Sequence, residues 1–156
     1  MLKGEIMSRK MHIEMNKNTT QVVGKLREDI KELFNLPKEM SEIVIYPGAI
    51  KHIKRKHPHA FKLYFHKIPQ IIAEPDYVGM SEHHTMRIEY IKYLKEPILL
   101  ALKYDGYKNL FVSSMYIIEA SRVEKRIETQ RIVPIVQGEH YKTQKQKYKN
   151  QNRNKR

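Results

Sequence analysis

Ile98-Leu99-Leu100-Ala101-Leu102-Lys103-Tyr104, then Asp105-Gly106, then the run from Asn109 to Ile118, decides the fold of this chain. The first run is apolar from Ile98 to Leu102, as a buried strand is, and far shorter than the roughly 20 residues of a membrane span. Asp105-Gly106 supplies the chemistry of a tight turn, and Leu110-Phe111-Val112 and Met115-Tyr116-Ile117-Ile118 carry the chain back. The reading is an antiparallel hairpin. Working upstream, Thr85-Met86-Arg87-Ile88-Glu89-Tyr90 alternates apolar and polar residues, as a half-buried strand does, and Tyr77-Val78-Gly79-Met80 reads as one more strand. Together they predict a four-stranded antiparallel meander. Downstream, Ala120, Val123 and Ile127 predict a closing helix over Glu119–Arg131.

The first half is read as helical. Val22, Val23, Leu26, Ile30, Leu33 and Phe34 recur at helical spacing after Thr19-Thr20, which can cap a helix, and Pro37 ends the run. Gly24 inside that helix costs about 1 kcal/mol against alanine, so it implies close packing there. Ile43-Val44-Ile45-Tyr46 is a strand or an extended linker, closed by the turn signal Pro47-Gly48. A second helix is predicted over Ala49–Lys56, because Pro58 disfavours helical geometry at His57. A third covers Phe61–Ile72, with Phe61, Tyr64, Phe65 and Ile68 on one face and Pro69 better suited to the start of a short helix than to its interior. The expected class is α+β, with N-terminal helices packed on a four-stranded meander and a C-terminal helix. Residues 1–18 read as a loose lead-in or edge strand, 19–132 as one domain, and 137–156 as a basic tail too polar to bury.

Composition narrows function. The 156 residues include no cysteine, which excludes disulfides and thiolate metal sites and fits a reducing, cytoplasmic setting. The first ten residues hold no signal-peptide segment. Net charge is +13; Lys142–Arg156 contributes seven Lys/Arg and no acid, so the rest carries 13 − 7 = +6. Such a balance favours polyanions, nucleic acid above all, over a charge that only aids solubility.

The densest chemistry lies in Ile50-Lys51-His52-Ile53-Lys54-Arg55-Lys56-His57-Pro58-His59, which holds three of the eight histidines and four Lys/Arg. Imidazole exchanges protons near neutral pH, while Lys54, Arg55 and Lys56 neutralise phosphate. His52 and His57 lie roughly 140° apart on an ideal helix, so they share no face unless the helix breaks before Pro58 and lets His57 project from its end. At a helix C-terminus His57 would gain proton affinity. No zinc spacing occurs, and the six basic residues from Lys51 to Lys67 would repel a dication, so neither metal nor cofactor is expected.

On the predicted sheet, Arg87, Lys92 and Lys103 are candidate phosphate contacts, with the stem of Lys103 expected to be partly buried; each also reads as a solvated lysine or arginine that blunts the sheet. Ser113-Ser114 interrupts an apolar strand, where small hydroxyls either line a groove or hydrogen-bond across the sheet, and strand alternation lets only one of them line a given site. Tyr116 shares a face with Ser114 and offers a stacking surface.

The ordered combination Val23-Gly24-Lys25-Leu26, Ile50-x-His52-Ile53-x-x-x-His57-Pro58, Ile71-Ile72-x-x-Pro75-Asp76-Tyr77-Val78 and Val112-Ser113-Ser114-Met115-Tyr116 resembles the phage-associated barnase–EndoU–colicin–RelE-like nucleases over roughly residues 22–127. The resemblance implies N-terminal helices before a four-stranded antiparallel sheet. It also implies metal-independent cleavage of RNA, often tRNA or other structured RNA, by toxins or effectors of phages and mobile elements. Phage-type members carry a helix histidine, matched by His57 with His52 beside it. They also carry sheet cations, matched by Arg87, Lys92 or Lys103, and a late-strand hydroxyl, matched by Ser113 or Ser114. The expected activity is therefore a metal-independent endoribonuclease, with RNA and an antitoxin or inhibitor protein as partners and no membrane. The competing expectation is a nucleic-acid-binding regulator or anti-defence protein on the same fold.

Overall fold

The computed structural model describes residues 13–15, 18–81, 87–106 and 109–135. The expected basic tail over 137–156, most of the expected lead-in, and Thr85-Met86 of the predicted strand lie outside the described residues. In chain order the elements are β1 (Gln21–Lys25), α1 (Glu28–Leu33), β2 (Glu42–Ile45), α2 (Pro47–Lys56), α3 (Pro58–Tyr64), a 3₁₀ turn (Phe65–Lys67), α4 (Ile68–Ala73), β3 (Tyr77–Ser81), β4 (Arg87–Tyr93), β5 (Pro97–Tyr104), β6 (Leu110–Ile117), α5 (Ala120–Glu128) and β7 (Ile132–Pro134).

The strands form one seven-stranded sheet in the order β1-β2-β6-β5-β4-β3-β7. Its centre is the predicted meander: β3, β4, β5 and β6 pair antiparallel in sequence, with Ile98 opposite Ile117 and Tyr104 opposite Leu110. The hairpin turn uses Gly106 at a positive φ of 88°, which glycine adopts without strain. Four strands was nevertheless too few. β2 adds to the free edge of β6 in parallel through Ile43–Leu110 and Val44–Phe111, β1 pairs antiparallel with β2, and β7 pairs antiparallel with β3.

The helix predicted from Val22 onward is the main local error. Residues 21–25 are strand β1, and only Glu28–Leu33 is helical. A bulge interrupts the strand: Val22 pairs with Val44 and Gly24 with Ile43, so Val23 is extra. Val22, counted on the apolar face of the predicted helix, is exposed, and only Val23 and Gly24 of the strand are buried. Gly24 does mark a close approach, but from the strand; a Cβ there would lie 2.6 Å from Ile72 Cγ2 on α4. The predicted 61–72 helix is broken into α3, the 3₁₀ turn and α4, with Pro69 in the first turn of α4. Phe61, Tyr64, Phe65 and Ile68 are all buried.

The two faces of the sheet differ. Ile88, Tyr90, Ile98, Leu100, Leu102, Val112 and Met115 join residues from β1, β2 and α1–α4 in the large core. The opposite face has a smaller cluster, Ile91, Leu99, Ala101, Ile118, Val123 and Ile132, beneath α5. Ile127 of α5 is outside it and exposed. No helix among the described residues is long and apolar enough to cross a membrane.

Candidate active site

Pro58 acts as predicted. Helix α2 stops at Lys56, His57 takes φ −133° and ψ 60°, and Pro58 opens α3. The His57 backbone N–H still donates to Ile53 O at 2.8 Å, so the break swings the side chain out without losing that bond. It also removes the angular separation expected for a continuous helix, and the rings of His52 and His57 have centroids 6.1 Å apart. On its other side the His57 ring lies 5.3 Å from that of Tyr116 on β6, at an interplanar angle of 33°. β2 pairs only with Leu110 and Phe111 of β6, so the C-terminal half of that strand is left for α2 and α3 to approach.

The electrostatics of His57 run opposite to the helix-end expectation. Burial, then the neighbouring His52, then Lys56 lower its pKa below the ordinary 6.5. Desolvation and like charge outweigh the favourable end of a ten-residue helix. His57 is therefore biased toward neutral imidazole at neutral pH. Lys54, Arg55 and Lys56 are exposed on the last turn of α2, beside it.

Pairing register lays out the α5-side face of the sheet in rows. Tyr77, Ile91, Leu99 and Tyr116 form one row; Gly79, Glu89, Ala101 and Ser114 the next; Ser81, Arg87, Lys103 and Phe111 the third. Ser113 has no cross-strand partner because the register shifts there, from Ala101–Ser114 to Leu102–Val112. This bulge breaks the strict alternation expected of the strand, so Ser113 and Ser114 do not simply take opposite faces. Ser113 Oγ donates to the Ala101 carbonyl at 3.1 Å. Lys103 is exposed, not partly buried as expected. Lys92 lies elsewhere: opposite Ile98, a large-core residue, its Nζ donates to Glu74 O at 2.8 Å, where α4 ends, and stands 3.8 Å from Asp76. Thus Ser114, Tyr116, Arg87 and Lys103 share a face that His57 borders, and Lys92 does not.

The sequence reading missed one cluster on this face. Glu89 is 1% exposed and meets three guanidiniums, Arg131 at 3.1 Å, Arg126 at 3.3 Å and Arg87 at 3.8 Å. In sequence Glu89 is only the polar member of an alternating strand, and its partners on and after α5 are distant along the chain. Among the described residues, no group of three or more His, Cys, Asp or Glu is placed to hold a metal ion.

The sequence matches the family of phage-Barnase-EndoU-ColicinE5/D-RelE like nuclease3 over residues 20–125. The chain belongs to that nuclease family. No curated protein and no solved structure gives a significant match. The family match runs from β1 into α5, so it takes in His52, His57, Arg87, Lys103, Ser113, Ser114 and Tyr116. It stops before Arg126 and Arg131, which complete the cluster on Glu89.

Proposed function

We propose that the protein is a metal-independent endoribonuclease, an effector or toxin of a phage or mobile element that acts on RNA in the cytoplasm, with tRNA among its candidate targets. The observation that carries this reading is the break at Pro58, which sets His57 against Tyr116 of β6 with His52 nearby. His57, held toward its neutral form, accepts the proton of a ribose 2′-OH. The 2′-oxygen attacks phosphorus, the P–O5′ bond breaks, and the products are a 2′,3′-cyclic phosphate and a 5′-hydroxyl. His52 is the second imidazole within reach of the same locus and supplies the proton to the departing O5′. Lys56, Lys103 and Ser114 offset the charge that builds on phosphorus. A toxin of this kind requires an inhibitor protein in the cell that makes it.

The test is cleavage of a labelled RNA panel, tRNA included, by the purified full chain in EDTA. His57→Ala should lose roughly 10²–10⁴-fold in rate. Equal cleavage by both proteins, or none by either, would sink the proposal.

One observation favours a second reading. Among the described residues the His57 ring has no hydrogen bond to a carboxylate or carbonyl that would fix its tautomer, as a base ordinarily has. A nucleic-acid-binding regulator or anti-defence protein on this fold would need none. It would bind RNA in a salt-dependent way, unaffected by His57→Ala and without any product.

A further inference from the structure

We propose that Glu89 is a positioning residue that gathers Arg87, Arg126 and Arg131 into a binding site for a phosphodiester next to the one that is cleaved. This rests on the reading above that RNA is the ligand, and it adds a second contact to it.

Local structure builds the cluster. Helix α5 ends in a turn in which Gln130, at φ 58°, donates its N–H to Ile127 O at 3.0 Å and Arg131 donates its N–H to Arg126 O at 2.9 Å. This is the Schellman arrangement, and it folds Arg131 back beside Arg126, its partner across the turn. The turn lies directly over Gly79: a Cβ on that residue would collide with the Arg131 carbonyl oxygen. Gly79 is the register neighbour of Glu89. A glycine on β3 thus lets the end of α5 settle onto the sheet, and Glu89 on β4 receives both arginines.

The charge does not balance. One carboxylate faces three guanidiniums, which leaves 3 − 1 = +2. If Glu89 only pinned α5 to the sheet, one arginine would suffice. The hydrogen bonds to Glu89 use a single nitrogen each of Arg126 and Arg131, and a guanidinium carries five N–H donors. Arg87 Nε is buried without a hydrogen-bond partner among the described residues. Exposure of the three side chains rises from 15% at Arg126 through 27% at Arg87 to 42% at Arg131, so the surplus charge reaches solvent. Phosphate oxygens accept from arginine forks and would supply the missing negative charge.

Position makes the ligand a neighbouring phosphate. Glu89 lies in one register row with Ser114, across Ala101, a span of roughly 10 Å over two strand spacings. Arg87 is the register neighbour of the exposed Lys103. A strand held at His57 and Tyr116 that crosses this face toward Lys103 meets the arginines next.

The experiment measures binding of a labelled 2′-deoxy oligonucleotide, which 2′-OH attack cannot cleave, across a salt series, alongside RNA cleavage kinetics. Arg131→Gln should shallow the slope of log affinity against log salt by about 0.7, the value for one phosphate on a single strand. It should raise KM several-fold and leave kcat unchanged, and Arg131→Lys should restore the slope. Glu89→Gln, if folded by circular dichroism, should bind more weakly although it makes the chain more basic. An electrostatic bystander at Glu89 would give the opposite sign. If Glu89→Gln does not fold, Arg131→Gln decides alone. The proposal is overturned if Arg131→Gln leaves slope and KM unchanged, or if folded Glu89→Gln binds more tightly. Absence of cleavage by the wild type removes the nuclease reading but leaves the oligonucleotide result to stand or fall by itself.

Discussion

The imidazole of His57 lies against the phenol ring of Tyr116, with ring centroids 5.3 Å apart. The contact joins a helix break to the meander strand β6. A histidine at a helix end has a loose side chain unless something limits its rotamers, and here a ring from the sheet does so. The same contact contributes to the burial that depresses proton affinity at His57. Position and protonation state therefore have a common source.

Tyr116→Phe keeps the ring and should leave cleavage within a few-fold of wild type. Tyr116→Ala removes the surface against which His57 is set, and a misplaced catalytic group costs up to about 10²-fold. Rates measured on the best RNA substrate separate the two variants. Equal losses in both would mean that the phenol hydroxyl, and not the ring, is what matters.

The pH dependence follows from the lowered pKa of His57. A base works in its neutral form, so the acid limb of kcat/KM should lie below pH 6.5. His52→Ala and Lys56→Gln each remove a neighbouring positive charge, which eases protonation of His57. In both, the acid limb should move to higher pH. Stability carries the same sign: between the ordinary and the lowered pKa the unfolded chain binds more protons, so stability declines as pH falls through that window and levels off below it. An acid limb that ignores both substitutions would show that another group controls it.

What the sequence revealed was what neighbours along the chain decide. The 98–118 hairpin was legible from an apolar run, a turn dipeptide and a return strand, and the break at His57 from Pro58 alone. β1 was not legible, because Val22 is an exposed apolar residue that, with Val23 and Leu26, completes a helical spacing in the sequence which the strand does not bury as a helix would. β2 reads equally as strand or linker, since its four residues are fixed by pairing with β1 and β6. The arginine cluster was out of reach for the same reason. Glu89 meets Arg126 and Arg131 only after α5 has folded back over β3 and β4, and nothing local to any of the three foretells it.

Three glycines should respond differently to alanine. At Gly24 the new methyl would lie 2.6 Å from Ile72 Cγ2, a side chain that can shift a little, and the cost of such overpacking is about 1–3 kcal/mol. At Gly79 the obstacle is the Arg131 carbonyl, backbone that cannot yield without lifting α5, so the loss should exceed that at Gly24. Gly48, in the first turn of α2, has nothing within 4 Å of an added Cβ, and alanine there should stabilise by about 0.4–1 kcal/mol. Midpoints of chemical denaturation order the three variants. If Gly79→Ala were as stable as wild type, the seating of α5 on β3 would be wrong.

The two serines should separate stability from activity. Ser113 Oγ donates to the Ala101 carbonyl at the bulge, so Ser113→Ala loses one partly buried hydrogen bond, worth about 1 kcal/mol, with little effect on cleavage. Ser114 pairs in register with Ala101 in the row next to Tyr116, and no hydrogen bond of its hydroxyl commits it among the described residues. Its hydroxyl is free to donate to a phosphate oxygen, and Ser114→Ala should lower kcat while leaving the denaturation midpoint within error. Ser114→Thr keeps a hydroxyl on a β-branched frame suited to a strand, and should recover part of the rate. Denaturation and single-turnover cleavage of the same preparations test both halves. A rate loss at Ser113→Ala without one at Ser114→Ala would exchange the roles of the two residues, and would mean that the bulge turns Ser113 toward the substrate.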